Sequence, residues 1–146
     1  MQATKNTGLR EVLALTPFQE DRAFLQTIIG HYPWVLFKAD HLAAVLGLLR
    51  RHQIGIVFCE LDLMPGSWTD LPEHIKGLRH LRSVIVTSRL ANERLWTEAL
   101  NLGAWDVLAK PFDRSEVLRS ADAAWQHWHN HTDLPSAART VLKSAS

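Results

Sequence analysis

The sequence predicts an α/β domain: a doubly wound, five-stranded parallel sheet built from five successive βα units. Three observations predict it. Five short apolar runs recur along the chain, and most are continuous, as strands covered on both faces read. Between them lie longer segments whose apolar residues repeat at helical spacing. Polar residues and prolines gather where the runs end, and right-handed crossovers would lay such units into one sheet with helices on both sides.

The first run is "VLAL" (12–15), followed by a segment in which Phe24, Leu25, Ile28 and Ile29 share a face. The second, "WVLF" (34–37), leads to Leu42, Val45, Leu46 and Leu49, with Asp40 as the expected N-cap. The third, "IVFC" (56–59), precedes "TDLPEHIKGL", where Pro72 suits a first helical turn. After "SVIVT" (83–87) a helical segment carries Leu95, Ala99 and Leu102, and Gly103 is its expected stop. The fifth run, "WDVLA" (105–109), is followed by "DRSE", with Asp113 as cap and a glutamate three residues on. Val117, Leu118, Ala121, Ala124, Trp125 and Trp128 then line one broad face. The expected organisation is an arm over 1–10, a domain over 11–128, and a tail or linker start over 129–146, where the chain turns polar and contains Pro135.

A chain of 146 residues suits one domain with a real core. It is 47% hydrophobic and 21% charged, with a net charge of +1, so nothing in the bulk charge draws it to nucleic acid or a membrane. The single cysteine, Cys59, lies in an apolar run and reads as a core residue. No disulfide framework is available, which fits a reducing, cytoplasmic setting. The N-terminal "MQATKNTGLREVLAL" has neither the length nor the apolarity of a signal peptide or membrane span.

The stretch "GAWDVLAKPF" (103–112) points to the site. A proline cannot donate to a sheet, so the strand ends near Pro111 and Lys110 stands at its carboxyl edge. Ligands of open α/β sheets bind at that edge. The other strands deliver Thr16 and Pro17, then Glu60, then Thr87 and Ser88.

A carboxylate, a hydroxyl and a lysine converging there resemble the site of a bacterial response-regulator receiver domain, the CheY-like fold, itself flavodoxin-like in architecture. The likeness runs from about Glu11 to Trp128 and is carried by "IVFCELDLMPG", "VIVTSR" and "ALNLGAWDVLAKPF". It implies strand order 2-1-3-4-5 and a role in two-component, phosphorelay signalling. In that family an aspartate ending the third strand accepts a phosphoryl group from a histidine kinase. An acidic pair after the first strand holds Mg²⁺, and a hydroxyl and a lysine contact the phosphoryl oxygens, so the site works by positioning and charge neutralisation. By position, Thr87 matches the switch hydroxyl, Lys110 the phosphate-binding lysine, and Pro111 the following proline, whose peptide bond is often cis in the family. Glu60 takes the acceptor's place when the apolar strand is the anchor. Counting back from "MPG" lands on Leu61, and Asp62 is a third candidate just beyond the strand.

The departures cluster at the chemistry. Thr16 and Pro17 stand where the acidic pair would be. Glu20 and Asp21 follow on the first helical turn, expected to reach the site only if the loop is unusual. The acceptor is one methylene too long, and Val107 replaces the aromatic of the switch. A standing Glu60–Lys110 ion pair is the expectation. His127 and His131 lie one helical turn apart in "HWHNH", but zinc needs three or four ligands and no partner motif appears. Trp96, Trp125 and Trp128 read as packing residues, and Trp68 and Trp105 as exposed candidates for a partner surface.

Other chemistries lack their motifs: no phosphate loop follows the first strand, no GxGxxG or GxxxxGK[ST] is present, and no nucleophile–base pair stands out. The expected function is a receiver acting as a phosphorylation-independent interaction module, not an enzyme, without cofactor. Its partner would be a histidine kinase or a downstream signalling protein, with no nucleic acid or membrane bound by this domain and self-association left open. The alternatives are a working phosphoacceptor using Glu60 or Asp62 with an unusual metal site, and a flavodoxin-like small-molecule binder.

Overall fold

A computed structural model describes residues 8–63, 66–71 and 83–132. Five parallel strands, β1 (Arg10–Leu15), β2 (Trp34–Ala39), β3 (Ile54–Glu60), β4 (Ser83–Ser88) and β5 (Asp106–Ala109), form one sheet in the order β2-β1-β3-β4-β5. Among the described residues the helices are α1 (Gln19–Ile29), α2 (Val45–Arg51), α3 (Glu93–Asn101) and α4 (Arg114–Thr132). The helical segment expected from Pro72 lies outside the described residues, as do most of the N-terminal arm and the residues after Thr132.

Strand side chains alternate between two cores, which is why the runs are continuously apolar. Val12, Ala14, Phe58, Ile85 and Leu108 face α1 and α4, meeting Leu25, Ile28, Ile29, Val117, Ala121, Ala124, Trp125 and Trp128. Leu13, Leu15, Val57, Cys59, Val84 and Val86 face the other way, toward Val45, Leu49 and Ala99. Burial pushes the Cys59 thiol pKa up, with the Glu60 charge adding to it.

One residue breaks the alternation. Glu11 pairs with Ile54 and Val12 with Ile56, so Gly55 is an extra residue in β3. Ile54 and Ile56 accordingly join opposite cores. A Cβ on Gly55 would lie 2.4 Å from the Trp128 ring and 2.9 Å from that of Trp125, so the indoles of α4 lie directly on its backbone.

Several local expectations are corrected. Asp40 does not cap α2: its carboxylate meets His41 Nδ1 at 2.5 Å, and the chain enters through a 3-10 turn at Leu42–Ala44. The last helix continues to Thr132, so the start of the expected tail is helical. Aromatic stacking holds that end, His127 on Trp105 at 4.9 Å and His129 on Trp125 at 6.4 Å. At the other end of the chain Arg10 belongs to β1, where it pairs with Asp122 at 2.6 Å. Trp68 is buried beneath the second core, while Trp96 is 47% exposed and donates to Asp106 at 3.4 Å. Leu102 is also exposed, because α3 has ended before it, and Gly103 follows at φ +105°.

Asp113 starts α4 as expected, accepting from Glu116 N–H at 2.9 Å and Ser115 Oγ at 2.8 Å. The Ser115 hydroxyl, then the Glu116 amide, hold its carboxyl below the ordinary pKa. A carboxyl depressed in the folded state stabilises above its unfolded-state pKa, and that contribution is lost as pH falls through the folded value. Asp113→Asn should therefore be less stable than wild type at neutral pH, with the gap closing in acid. Urea titrations at a series of pH values check this.

Candidate functional site

Strand parity assembles the site. Thr16 lies two residues after Ala14, Glu60 two after Phe58, Thr87 two after Ile85 and Lys110 two after Leu108, so all four fall at the carboxyl edge on the α1 side. Glu60 pairs with Thr87 in the ladder. The edge is tied by Thr16 N–H to Ala39 O at 3.0 Å, Leu61 N–H to Thr87 O at 2.9 Å and Lys110 N–H to Ser88 O at 3.1 Å. The Lys110–Pro111 bond is cis.

At the centre is a three-membered ion cluster. Lys110 Nζ lies 2.5 Å from Glu60 Oε1 and 2.6 Å from Asp21 Oδ2. The three side chains are 6%, 6% and 9% exposed, in the order Lys110, Glu60, Asp21. The contact to Asp21 is an aligned hydrogen bond; that to Glu60 is an ion pair outside hydrogen-bond alignment. Thr16 Oγ1 donates to Asp21 Oδ2 at 3.1 Å and accepts from Phe18 N–H at 3.2 Å. Arg22 donates to the Thr16 carbonyl at 2.6 Å. Asp62 N–H donates to Glu60 Oε2 at 3.2 Å.

Asp21 is the correction that matters. It reaches the site because the turn at Thr16–Phe18 directs the first turn of α1 inward, and it shares the buried face with Leu25, Ile28 and Ile29. The signal was in the sequence: Asp21 precedes Leu25 by four and Ile28 by seven, the spacing of one helix face. Thr16, at the acidic-pair position, serves as the donor that orients Asp21, and Pro17 beside it is half-buried without a side-chain polar group. Of the other acceptor candidates, Leu61 is packed against the second core and Asp62 is exposed, bridging to Ser67. Glu20 points away to Arg89 at 3.8 Å. Val107, where the switch aromatic would be, is half-buried against the second core. His127 and His129 engage aromatic rings far along α4 and take no part.

Two carboxylates and one ammonium give the cluster a formal charge of −1. Such a group stays buried only because each charge is paired.

A family model described as the response regulator receiver domain matches residues 19–122. The chain belongs to the response-regulator receiver family. Its place is in two-component signalling. A curated relative, the sensory transduction protein LytR of Staphylococcus saprophyticus, is 26% identical over 119 residues. That match takes in 79% of this receiver but 46% of the relative, so the chain spans about half the length of that protein. Among solved structures, the receiver domain of an HD-domain protein from Pseudomonas fluorescens aligns with a TM-score of 0.76 at 22% identity, covering 88% of this chain and 96% of that one. The Francisella response regulator 1452 receiver gives 0.71 at 18%, covering 81% and 98%. The Vibrio cholerae chemotaxis protein CheY4 gives 0.66 at 12%, covering 80% and 98%. At these identities they show the shared receiver fold. No helix among the described residues is long and apolar enough to cross a membrane.

Proposed function

We propose that this receiver is a standing interaction module of a two-component pathway, working without a phosphoryl group, a bound metal or a catalytic step. The observation that carries the reading is that Lys110 is held by Asp21 and Glu60 together, at 2.6 and 2.5 Å. In the family a lysine here contacts phosphoryl oxygens. In this chain its ammonium is already shared between the acceptor-position carboxylate and Asp21. Magnesium wants near-octahedral oxygen ligands, usually with one or two carboxylates. Asp21 and Glu60 supply two carboxylates, but both are engaged by Lys110, and the acidic-pair position adds a threonine hydroxyl committed to Asp21 and a proline, so a cation would have to displace the ammonium. With Val107 on β5, no aromatic stands there to relocate.

The surface offered to a partner is that of α3, β5 and α4. Asp106 ties it together, accepting from Trp96 on α3 and from Ser120 on α4 at 2.8 Å. A histidine kinase or a downstream protein in the cytoplasm is the partner class, recognised in one fixed state. A ligand shifts an equilibrium only through differential affinity for its states, and the usual driver is missing here.

The test is incubation with acetyl phosphate and Mg²⁺, read by intact mass and by partner pull-down. No phosphoryl adduct and unchanged capture are expected. An adduct mapped to Glu60 or Asp62, with altered capture, would restore the phosphoacceptor mechanism.

A further inference from the structure

Among the described residues, one aromatic ring faces the buried ammonium. The Phe18 ring lies 4.8 Å from Lys110 Nζ. Phe18 is 40% exposed, whereas the lysine side chain beneath it is 6% exposed. Its backbone is fixed: the N–H donates to Thr16 Oγ1, and the carbonyl accepts from Asp21 and Arg22 N–H at 3.1 and 3.3 Å. The ring can therefore leave by rotation about its own side-chain torsions while the loop stays in place. The nearby Glu20–Arg89 pair, at 3.8 Å with side chains 75% and 73% exposed, contributes little and loosens with salt.

We propose that Phe18 is a rotamer gate over Lys110, the moving aromatic of this domain, placed on the first loop and not on β5. Closed, the ring meets the ammonium face-on and excludes water, which strengthens the attraction of Asp21 and Glu60 for Lys110. Open, water reaches the ammonium and the cluster loosens. The inference rests on the standing-cluster reading, but it concerns access of water and not uptake of a phosphoryl group.

The experiment follows the side-chain ammonium of Lys110 by NMR in the full, ¹⁵N-labelled chain, assigned with Lys110→Arg. Ammonium protons give a sharp signal only when shielded from exchange with water. A protected Lys110 signal is expected in wild type. Exchange should be about tenfold faster in Phe18→Ala and intermediate in Phe18→Leu, with backbone amide spectra unchanged. Phe24→Ala and Arg89→Ala, which leave the Phe18 ring in place, should stay within about twofold of wild type. An unprotected Lys110 in wild type overturns the gate, as does a Phe18→Ala rate within about twofold of wild type. Should Phe18→Ala fail to fold, Phe18→Leu decides: unchanged exchange there overturns the gate equally. Phosphoryl uptake by wild type with this exchange pattern intact would sink the proposed function and leave the gate standing.

Discussion

Replacing Lys110 with methionine is expected to destabilise the domain by about 3–5 kcal/mol, the scale seen when one member of a buried ion pair is removed. Methionine keeps most of the stem and its packing, so the loss isolates the charge. Asp21 and Glu60 are 9% and 6% exposed at the side chain and would face each other with no cation between them. Asp21→Asn or Glu60→Gln alone should cost less, because the ammonium keeps one carboxylate. The triple variant Asp21→Asn, Glu60→Gln, Lys110→Met should recover much of the loss, since a buried ion cluster is seldom more stable than a neutral replacement of like volume. Urea unfolding with an unchanged m-value is the measurement. A Lys110→Met protein within about 1 kcal/mol of wild type would mean the site is wetter than its geometry implies.

A side chain at Gly55 is the second large effect. The new Cβ would stand 2.4 and 2.7 Å from Trp128 ring atoms and 2.9 Å from Trp125. Neither ring can yield freely: Trp125 packs against Trp34 at 6.2 Å and against Trp128 at 4.9 Å. Gly55→Ala should cost about 1–3 kcal/mol as overpacking, and Gly55→Val more. Tryptophan emission should shift to the red as α4 is pushed off the sheet. Gly47→Ala is the contrast. Its nearest neighbour is the end of the Arg51 side chain at 3.3 Å, which can move, and a helical alanine gains about 0.5–1 kcal/mol over glycine. Equal stability of Gly55→Ala and wild type would contradict the close contact.

The strands were legible because both faces of the sheet are covered, which forces continuous apolar runs and leaves polar residues only at their ends. Glu60, Thr87 and Lys110 were therefore placed at one edge from sequence. Asp21 was missed, since its reach depends on how a three-residue turn aims the first turn of α1; its periodicity with Leu25 and Ile28 was the one signal that could have placed it. Trp125 and Trp128 pack in the core as expected, but Trp68 and Trp96 differ from expectation for a related reason. Trp68 sits in a short 3-10 turn whose capping box, Ser67 with Asp70, sets its direction, and no helical or strand period applies. Trp96 adjoins the Leu95–Ala99 stripe in sequence, yet one residue is enough to turn a helical side chain toward water. Asp40 favoured its histidine neighbour over the helix, a competition between short-range partners that residue type alone does not resolve.

The paired indoles of α4 also bear on how the protein's secondary structure would be read in solution. Trp125 and Trp128 stand 4.9 Å apart with their planes at 52°. Transition dipoles that close and that oblique couple, splitting the far-ultraviolet absorption into an exciton couplet. Its lobes overlap the bands from which helix content is derived, so circular dichroism of the wild type should misstate the helix content of an otherwise ordinary α/β domain. A Trp125→Phe variant that keeps its amide spectrum should change the ellipticity without losing a turn of helix.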